Sequence, residues 1–154
     1  MYDVNKIRAD FPILSRNVNN KPLVYLDNGS SAQKPKVVID AVSKAYSEEY
    51  SNVHRGLHTL SNLATDNYES VRGKIQNFLG AEHPEEIIFN SGATEGINTV
   101  SYSWAVPNLK AGDEIILSIM EHHANIIPWH FLRERQGVII KWVETDENGD
   151  LDAQ

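Results

Sequence analysis

Apolar residues recur along this chain with two different periods, and the switches between them lay out most of its elements. Val38, Ala41, Val42, Ala45 and Tyr46 stand three and four apart, behind a Pro35 that a first helical turn tolerates. Ser51 to Gly56 breaks that pattern. Leu60, Leu63, Ala64, Val71, Ile75, Phe78 and Leu79 form a longer stripe, which predicts a helix from about Thr59 to Leu79 with Gly80 as its stop. A short helix is expected over Val4 to Ala9, ending before Pro12, because the residue ahead of a proline disfavours helical backbone. Between and after the helices come short β-rich runs: Leu23 to Leu26, Ile87 to Phe89, Glu114 to Ser118, and Val138 to Val143. Further helices are expected near Thr94 to Trp104 and Asn125 to Arg135, with Gly137 closing the second. Strands alternating with helices imply βαβ crossovers and a largely parallel sheet. Ligands of such sheets bind beyond the carboxyl ends of strands.

Composition narrows the picture by exclusion. A chain of 154 residues, 41% hydrophobic and 23% charged, fits one ordinary globular domain. Its net charge of -7 argues against sequence-independent nucleic-acid binding, which needs clustered cations. No cysteine is present, so disulfides, thiolate metal sites and a thiol nucleophile are excluded within these residues. There is no signal-peptide core and no apolar run of membrane-spanning length, so no membrane partner is expected and the expected location is the cytoplasm. The tail from Asp146 to Gln154 reads as a turn leading into something further, which makes a truncated chain the expectation.

Two motifs follow strand candidates. The first is Phe89-Asn90-Ser91-Gly92-Ala93-Thr94-Glu95-Gly96-Ile97-Asn98. A strand, a small-residue turn and a helix start would set backbone N–H groups around Ala93 and Thr94, with the Ser91 and Thr94 hydroxyls, about a concavity suited to a phosphate. The plainer reading is a capped helix start, with Ser91 as cap and Glu95 favoured by the helix dipole. No lysine follows at the position a Walker loop requires.

The second motif is Glu121-His122-His123-Ala124-Asn125. An imidazole after a buried strand can stack on a ligand ring, move protons or bind metal. Adjacent side chains diverge, so one of the two histidines is expected to face a site. Metal is disfavoured: there is no HExxH pattern, and Gly56 weakens the helix that His54 and His58 would need to act together. The loop Val53-His54-Arg55-Gly56-Leu57-His58-Thr59 gathers a cation and two imidazoles. Arg55 could hold a phosphate or carboxylate, or the loop could be a plain surface connection capped by Thr59.

Together these segments resemble the beginning of a SufS-type (group II) cysteine desulfurase, in the class V aminotransferase-like enzymes that use pyridoxal 5'-phosphate. The resemblance is carried by Arg8-Ala9-Asp10-Phe11-Pro12-Ile13-Leu14, Tyr25-Leu26-Asp27, Ser31-Ala32-Gln33-Lys34-Pro35 and the run from Val53 to Ser61. Gly92-Ala93-Thr94-Glu95-Gly96-Ile97-Asn98 and Met120-Glu121-His122-His123-Ala124-Asn125 complete it, in family order across nearly the whole chain. It implies the α/β fold type I of the pyridoxal-phosphate-dependent transferases: the N-terminal part of the large domain, a mostly parallel sheet with flanking helices, from 21 to 154. Residues 1 to 20 would be an N-terminal arm that packs on the small domain.

The same resemblance implies roles. Ala93 and Thr94 would contact the cofactor phosphate, and His122 would stack on its ring and assist proton transfer. Asn28, Gly29, Ser30, His54 and Arg55 would line the substrate side. The implied activity converts L-cysteine to L-alanine and passes sulfur, through an enzyme persulfide, to an acceptor protein of iron–sulfur cluster assembly. A homodimer is implied as well. Asn28-Gly29-Ser30-Ser31 departs from the alanine run of many relatives. The Schiff-base lysine, persulfide cysteine and carboxylate-binding arginine have no match here, so these residues alone are expected to be inactive. Selenocysteine lyase, another class V aminotransferase-like enzyme, or a non-catalytic phosphate-binding remnant are the rival readings.

Overall fold

The computed structural model describes residues 2–151; Met1 and the end of the tail, Asp152, Ala153 and Gln154, lie outside the described residues. The chain divides into two compact units, Met1–Ile87 and Ile88–Gln154.

In the first unit, helix α1 (Val4–Ala9) starts where the Asp3 carboxylate accepts the amides of Asn5 and Lys6, both at 3.1 Å. A 3-10 turn over Pro12–Ser15 follows, then a hairpin of β1 (Asn17–Val18) and β2 (Lys21–Pro22). Asn19 and Asn20 join these strands with φ of 52° and 61°. Two consecutive left-handed residues make the tight turn that matches strand twist, and asparagine tolerates that backbone best after glycine.

Leu23 to Leu26, expected as a strand, forms none among the described residues: Leu23 N donates to Arg16 O at 2.9 Å, and Leu26 is 90% exposed. An apolar run states a propensity; a strand also needs a neighbour to pair with. Helix α2 (Lys36–Lys44) runs into a π-helical turn, Ala45–Glu49. Helix α3 (Thr59–Leu79) has the expected bounds and stops at Gly80 in the left-handed conformation. Its cap is His58, whose Nδ1 accepts the Ser61 amide at 3.4 Å, in place of Thr59.

Ile87 to Phe89, at the unit boundary, likewise forms no strand among the described residues. The second unit then opens with helix α4 (Ala93–Val100), extended by a π-helical turn Ser101–Ala105 and the short turn α5 (Val106–Asn108). Strand β3 (Glu114–Ser118), helix α6 (Ile127–Gln136) and strand β4 (Ile139–Val143) form one βαβ crossover. The two strands pair in parallel, Glu114 opposite Ile139 through Ser118 opposite Val143. Among the described residues this is the parallel sheet. Ala105, Leu132 and Val138 make the core, with Leu109, Ile115 and Trp129 packed around it. Burying Leu132 to 3% exposure contributes about 2 kcal/mol. Gly137, at φ 76°, turns α6 back into β4. No helix among the described residues is long and apolar enough to cross a membrane.

Candidate functional site

Both chemical motifs of the second unit fall where the chain reverses. Before α4, Gly92 is the cap residue, with φ 150° and ψ 177°, a region open essentially to glycine alone. Its amide donates to Asn90 Oδ1 at 2.9 Å, which closes the turn. Asn90 also lies across the start of the helix: a Cβ built on Gly96 would sit 3.1 Å from Asn90 Nδ2. The helix then begins with no side chain capping it.

Ser91 is therefore not the cap. Its hydroxyl donates to Glu95 Oε2, and its amide donates to the same oxygen at 2.6 Å. Those two donors hold the Glu95 carboxyl below the usual carboxylate range, the hydroxyl contributing most. The consequence for the helix start is specific. A glutamate in the first turn commonly folds back to cap its own helix. Here it is tied to the residue before the cap, and the amides of Ala93 and Thr94 have no partner among the described residues. The Thr94 hydroxyl has no hydrogen-bond partner among the described residues. Open amides, an open hydroxyl and a helix dipole are the donor set an oxyanion takes.

The second motif occupies the turn after β3. His122 caps a 3-10 turn, His123–Asn125, and its Nδ1 accepts the Ala124 amide at 3.2 Å. Nitrogen that accepts an N–H carries no proton, so this contact assigns the ring N–H to Nε2. The rings of His122 and His123 stand edge to face, 6.2 Å apart at 85°. Helix α4 and the His123–Asn125 turn pack against each other. Hence the uncapped helix and the histidine turn are neighbours within one unit.

Glu121 is engaged below this turn. It accepts Ser118 Oγ at 3.1 Å and Asn125 Nδ2 at 2.9 Å, and these bonds, Asn125 first, lower its pKa from the ordinary glutamate value. No group of His, Asp and Glu suited to a metal ion occurs among the described residues.

Asn28, Gly29, Ser30, His54 and Arg55 all belong to the first unit, and no hydrogen bond or ion pair among the described residues joins the first three to the last two. Asn28 to Ser30 form an exposed turn: Ser30 N donates to Asp27 O at 3.2 Å, and Asn28 Oδ1 accepts the Gln33 amide at 3.2 Å. His54 has left-handed backbone, φ 70°, and its Nε2 meets Glu69 Oε1 at 3.0 Å. Its amide donates to Thr65 Oγ1 at 2.9 Å. Gly56 lies hard on α3, since a Cβ there would collide with the Ser61 Cβ and Oγ. Between these anchors Arg55 is exposed, with no partner among the described residues.

An uncapped helix start, neighbouring a histidine turn beyond a parallel strand, defines an α/β class whose chemistry gathers at strand ends. Residues 24–154 match the class-V aminotransferase family, and the chain belongs to it. It is 52% identical over 150 residues, 97% of its own length, to a cysteine desulfurase of Salmonella newport. Against a probable cysteine desulfurase of Synechocystis it is 48% identical over 96% of its length. The apo structure of a cysteine desulfurase from Thermococcus onnurineus superposes with a TM-score of 0.87 at 34% identity, covering 99% of this chain and 36% of that one. The chain spans 35–37% of the length of these two curated relatives. The fold is α/β, of fold type I among the pyridoxal-phosphate-dependent transferases.

Proposed function

We propose that this chain supplies the phosphate-gripping and ring-orienting part of a pyridoxal-phosphate-dependent cysteine desulfurase of the SufS type. Such an enzyme converts L-cysteine to L-alanine and passes the sulfur to an acceptor protein for iron–sulfur cluster assembly, in the cytoplasm, as a homodimer. Support comes from the family, from relatives named cysteine desulfurases, and from the local chemistry. The observation that carries the reading is the packing of α4, with its uncapped amides, against the turn that His122 caps.

The donor set fits the cofactor. The amides of Ala93 and Thr94 and the Thr94 hydroxyl are the groups that would hold its phosphate, and the His122 ring offers an aromatic face to its pyridine. When bound, the cofactor supplies an electron sink for charge developing on a substrate carbon. The chain's residues do the rest of the local work. Glu95, held by Ser91, stays out of the amides that an anion needs. Nε2 of His122 carries the proton that could be exchanged with a bound molecule, while Nδ1 is occupied by Ala124. Asn28, Gly29, Ser30, His54 and Arg55 would meet the substrate, with Arg55 suited to a carboxylate. Residues 21–154 would belong to the cofactor-binding large domain and residues 1–20 to an arm against the small domain. These 154 residues hold no cysteine and form no persulfide by themselves.

The test uses the natural full-length polypeptide that carries this sequence. Incubated with pyridoxal phosphate and L-cysteine, it is expected to release alanine and, with a reductant, sulfide in equal amounts. In His122→Phe, which keeps an aromatic face and loses both nitrogens, the cofactor is expected to stay bound while turnover falls about 10²-fold or more. No alanine from the cofactor-loaded wild type would refute the assignment.

A further inference from the structure

Beneath the histidine turn, four side chains form a relay that phosphate and ring contacts do not use. Ser118 Oγ donates to Glu121 Oε1 at 3.1 Å, and Asn125 Nδ2 donates to Glu121 Oε2 at 2.9 Å. Asn125 Oδ1 accepts Trp129 Nε1 at 2.9 Å. Its ends are anchored in regular structure, Ser118 at the last residue of β3 and Trp129 in α6 against the core. Glu121 and Asn125 bracket His122, and both are half-buried while the two histidines are exposed.

The chemistry of the relay leaves little freedom. An indole N–H only donates and a carboxylate only accepts, so the group between them must accept on one side and donate on the other. A short amide does both in a single plane. Asparagine at 125 is therefore specified by its neighbours, and its amide orientation is fixed with it. The backbone follows, since the Asn125 amide donates to His122 O at 2.8 Å and the adjacent Ala124 amide to His122 Nδ1.

We propose that Glu121 and Asn125 are positioning residues for His122. They hold the turn in the shape that presents the Ala124 amide to Nδ1, and so keep the ring oriented with Nδ1 as acceptor and Nε2 as the N–H. This role rests on His122 serving as the ring-facing group of the proposed site. The relay itself is a property of the cofactor-free turn, so it can be tested apart from that reading.

The test is a polarity swap in the natural full-length polypeptide. Asn125→Asp keeps the acceptor for Trp129 but sets a carboxylate against Glu121, and like charges so close repel. Glu121→Gln combined with Asn125→Asp restores every partner, because the introduced glutamine amide donates to the introduced carboxylate. The readouts, taken without cofactor, are the 15N shifts of the His122 ring and the amide exchange rates of Ala124 and Asn125. In Asn125→Asp the ring is expected to move toward a mixture of tautomers, and exchange at the two amides to rise about tenfold. The double variant is expected to return both readouts to wild type. If Asn125→Asp fails to fold, Ser118→Ala, which removes only the hydroxyl bond to Glu121, is expected to shift the same signals in the same direction.

Unchanged ring shifts in a folded single variant, or a folded double variant that stays perturbed, would overturn the positioning role. A titration of the same proteins with pyridoxal phosphate reports separately on the function proposed above. Its failure, with the swap behaving as expected, would sink the cofactor reading and leave the relay standing.

Discussion

Replacing Gly92 by alanine isolates the backbone geometry on which an open helix start depends. At φ 150° and ψ 177° an L-residue is strained by about 1–3 kcal/mol. No collision adds to this, because a Cβ at that position meets nothing within 4 Å. If the backbone relaxes instead, the Gly92 amide swings away from Asn90 Oδ1, now at 2.9 Å, at a net cost of about 0.5–1.5 kcal/mol. Retained strain therefore costs about 1–3 kcal/mol of stability, whereas relaxation costs about 0.5–1.5 kcal/mol and also re-aims the amides of Ala93 and Thr94. Relaxation is the cheaper route, and since about 1.4 kcal/mol is a tenfold change in affinity, misaligning one charge-assisted donor worth about 1.5–3 kcal/mol should weaken phosphate binding about tenfold or more. Calorimetric titration with inorganic phosphate and with pyridoxal phosphate, beside urea unfolding, measures both effects. Gly73→Ala, in the middle of α3 with nothing within 4 Å of an added Cβ, serves as the comparison and should gain about 0.5–1 kcal/mol. Wild-type affinity for both ligands in a folded Gly92→Ala protein would refute the argument that this backbone builds the anion site.

Two further perturbations address the framework. Gly56→Ala must displace buried Ser61, disturbing its bonds from the Gly56 amide at 3.0 Å and to Asn52 O at 2.6 Å; urea unfolding should show a loss of about 1–3 kcal/mol. Glu95 and Glu121 both have pKa values lowered in the fold, so the stability each contributes is complete above the ordinary value of about 4.5. That contribution is lost as pH falls through the lower folded value. Carboxylate NMR titration should therefore find both groups protonating below pH 4.5, and Ser91→Ala should move Glu95 back up while leaving Glu121 in place.

Helix α3 and the β3–α6–β4 crossover are legible in the sequence because a stripe or an apolar run is closed by glycine: Gly80 and Gly137 each take left-handed backbone where the periodicity ends. Leu23 to Leu26 and Ile87 to Phe89 carry the same strand signal but form no strand among the described residues, since a ladder is decided by a neighbouring chain segment and not by the run itself. The hairpin at Asn19–Asn20 leaves no such signal, because its strands are two residues long, too short for any alternation to show. In the candidate site, residue types point to Thr94 and His122, but not to what frees them. Glu95 reaches back to Ser91 rather than capping its own helix, and that choice depends on the glycine turn between them. The Asn125–Trp129 bond lies at helical spacing, four residues apart, and is readable from the donor and acceptor inventory of the two side chains.

The central claim is that the start of α4 and the His122 turn serve one molecule. Titrating isotope-labelled full-length polypeptide with pyridoxal phosphate, while following the Ala93 and Thr94 amides and the His122 ring nitrogens, tests it most directly. A single saturation curve shared by all three signals is the predicted result. Separate curves, or a phosphate response at the amides with a silent imidazole, would contradict it.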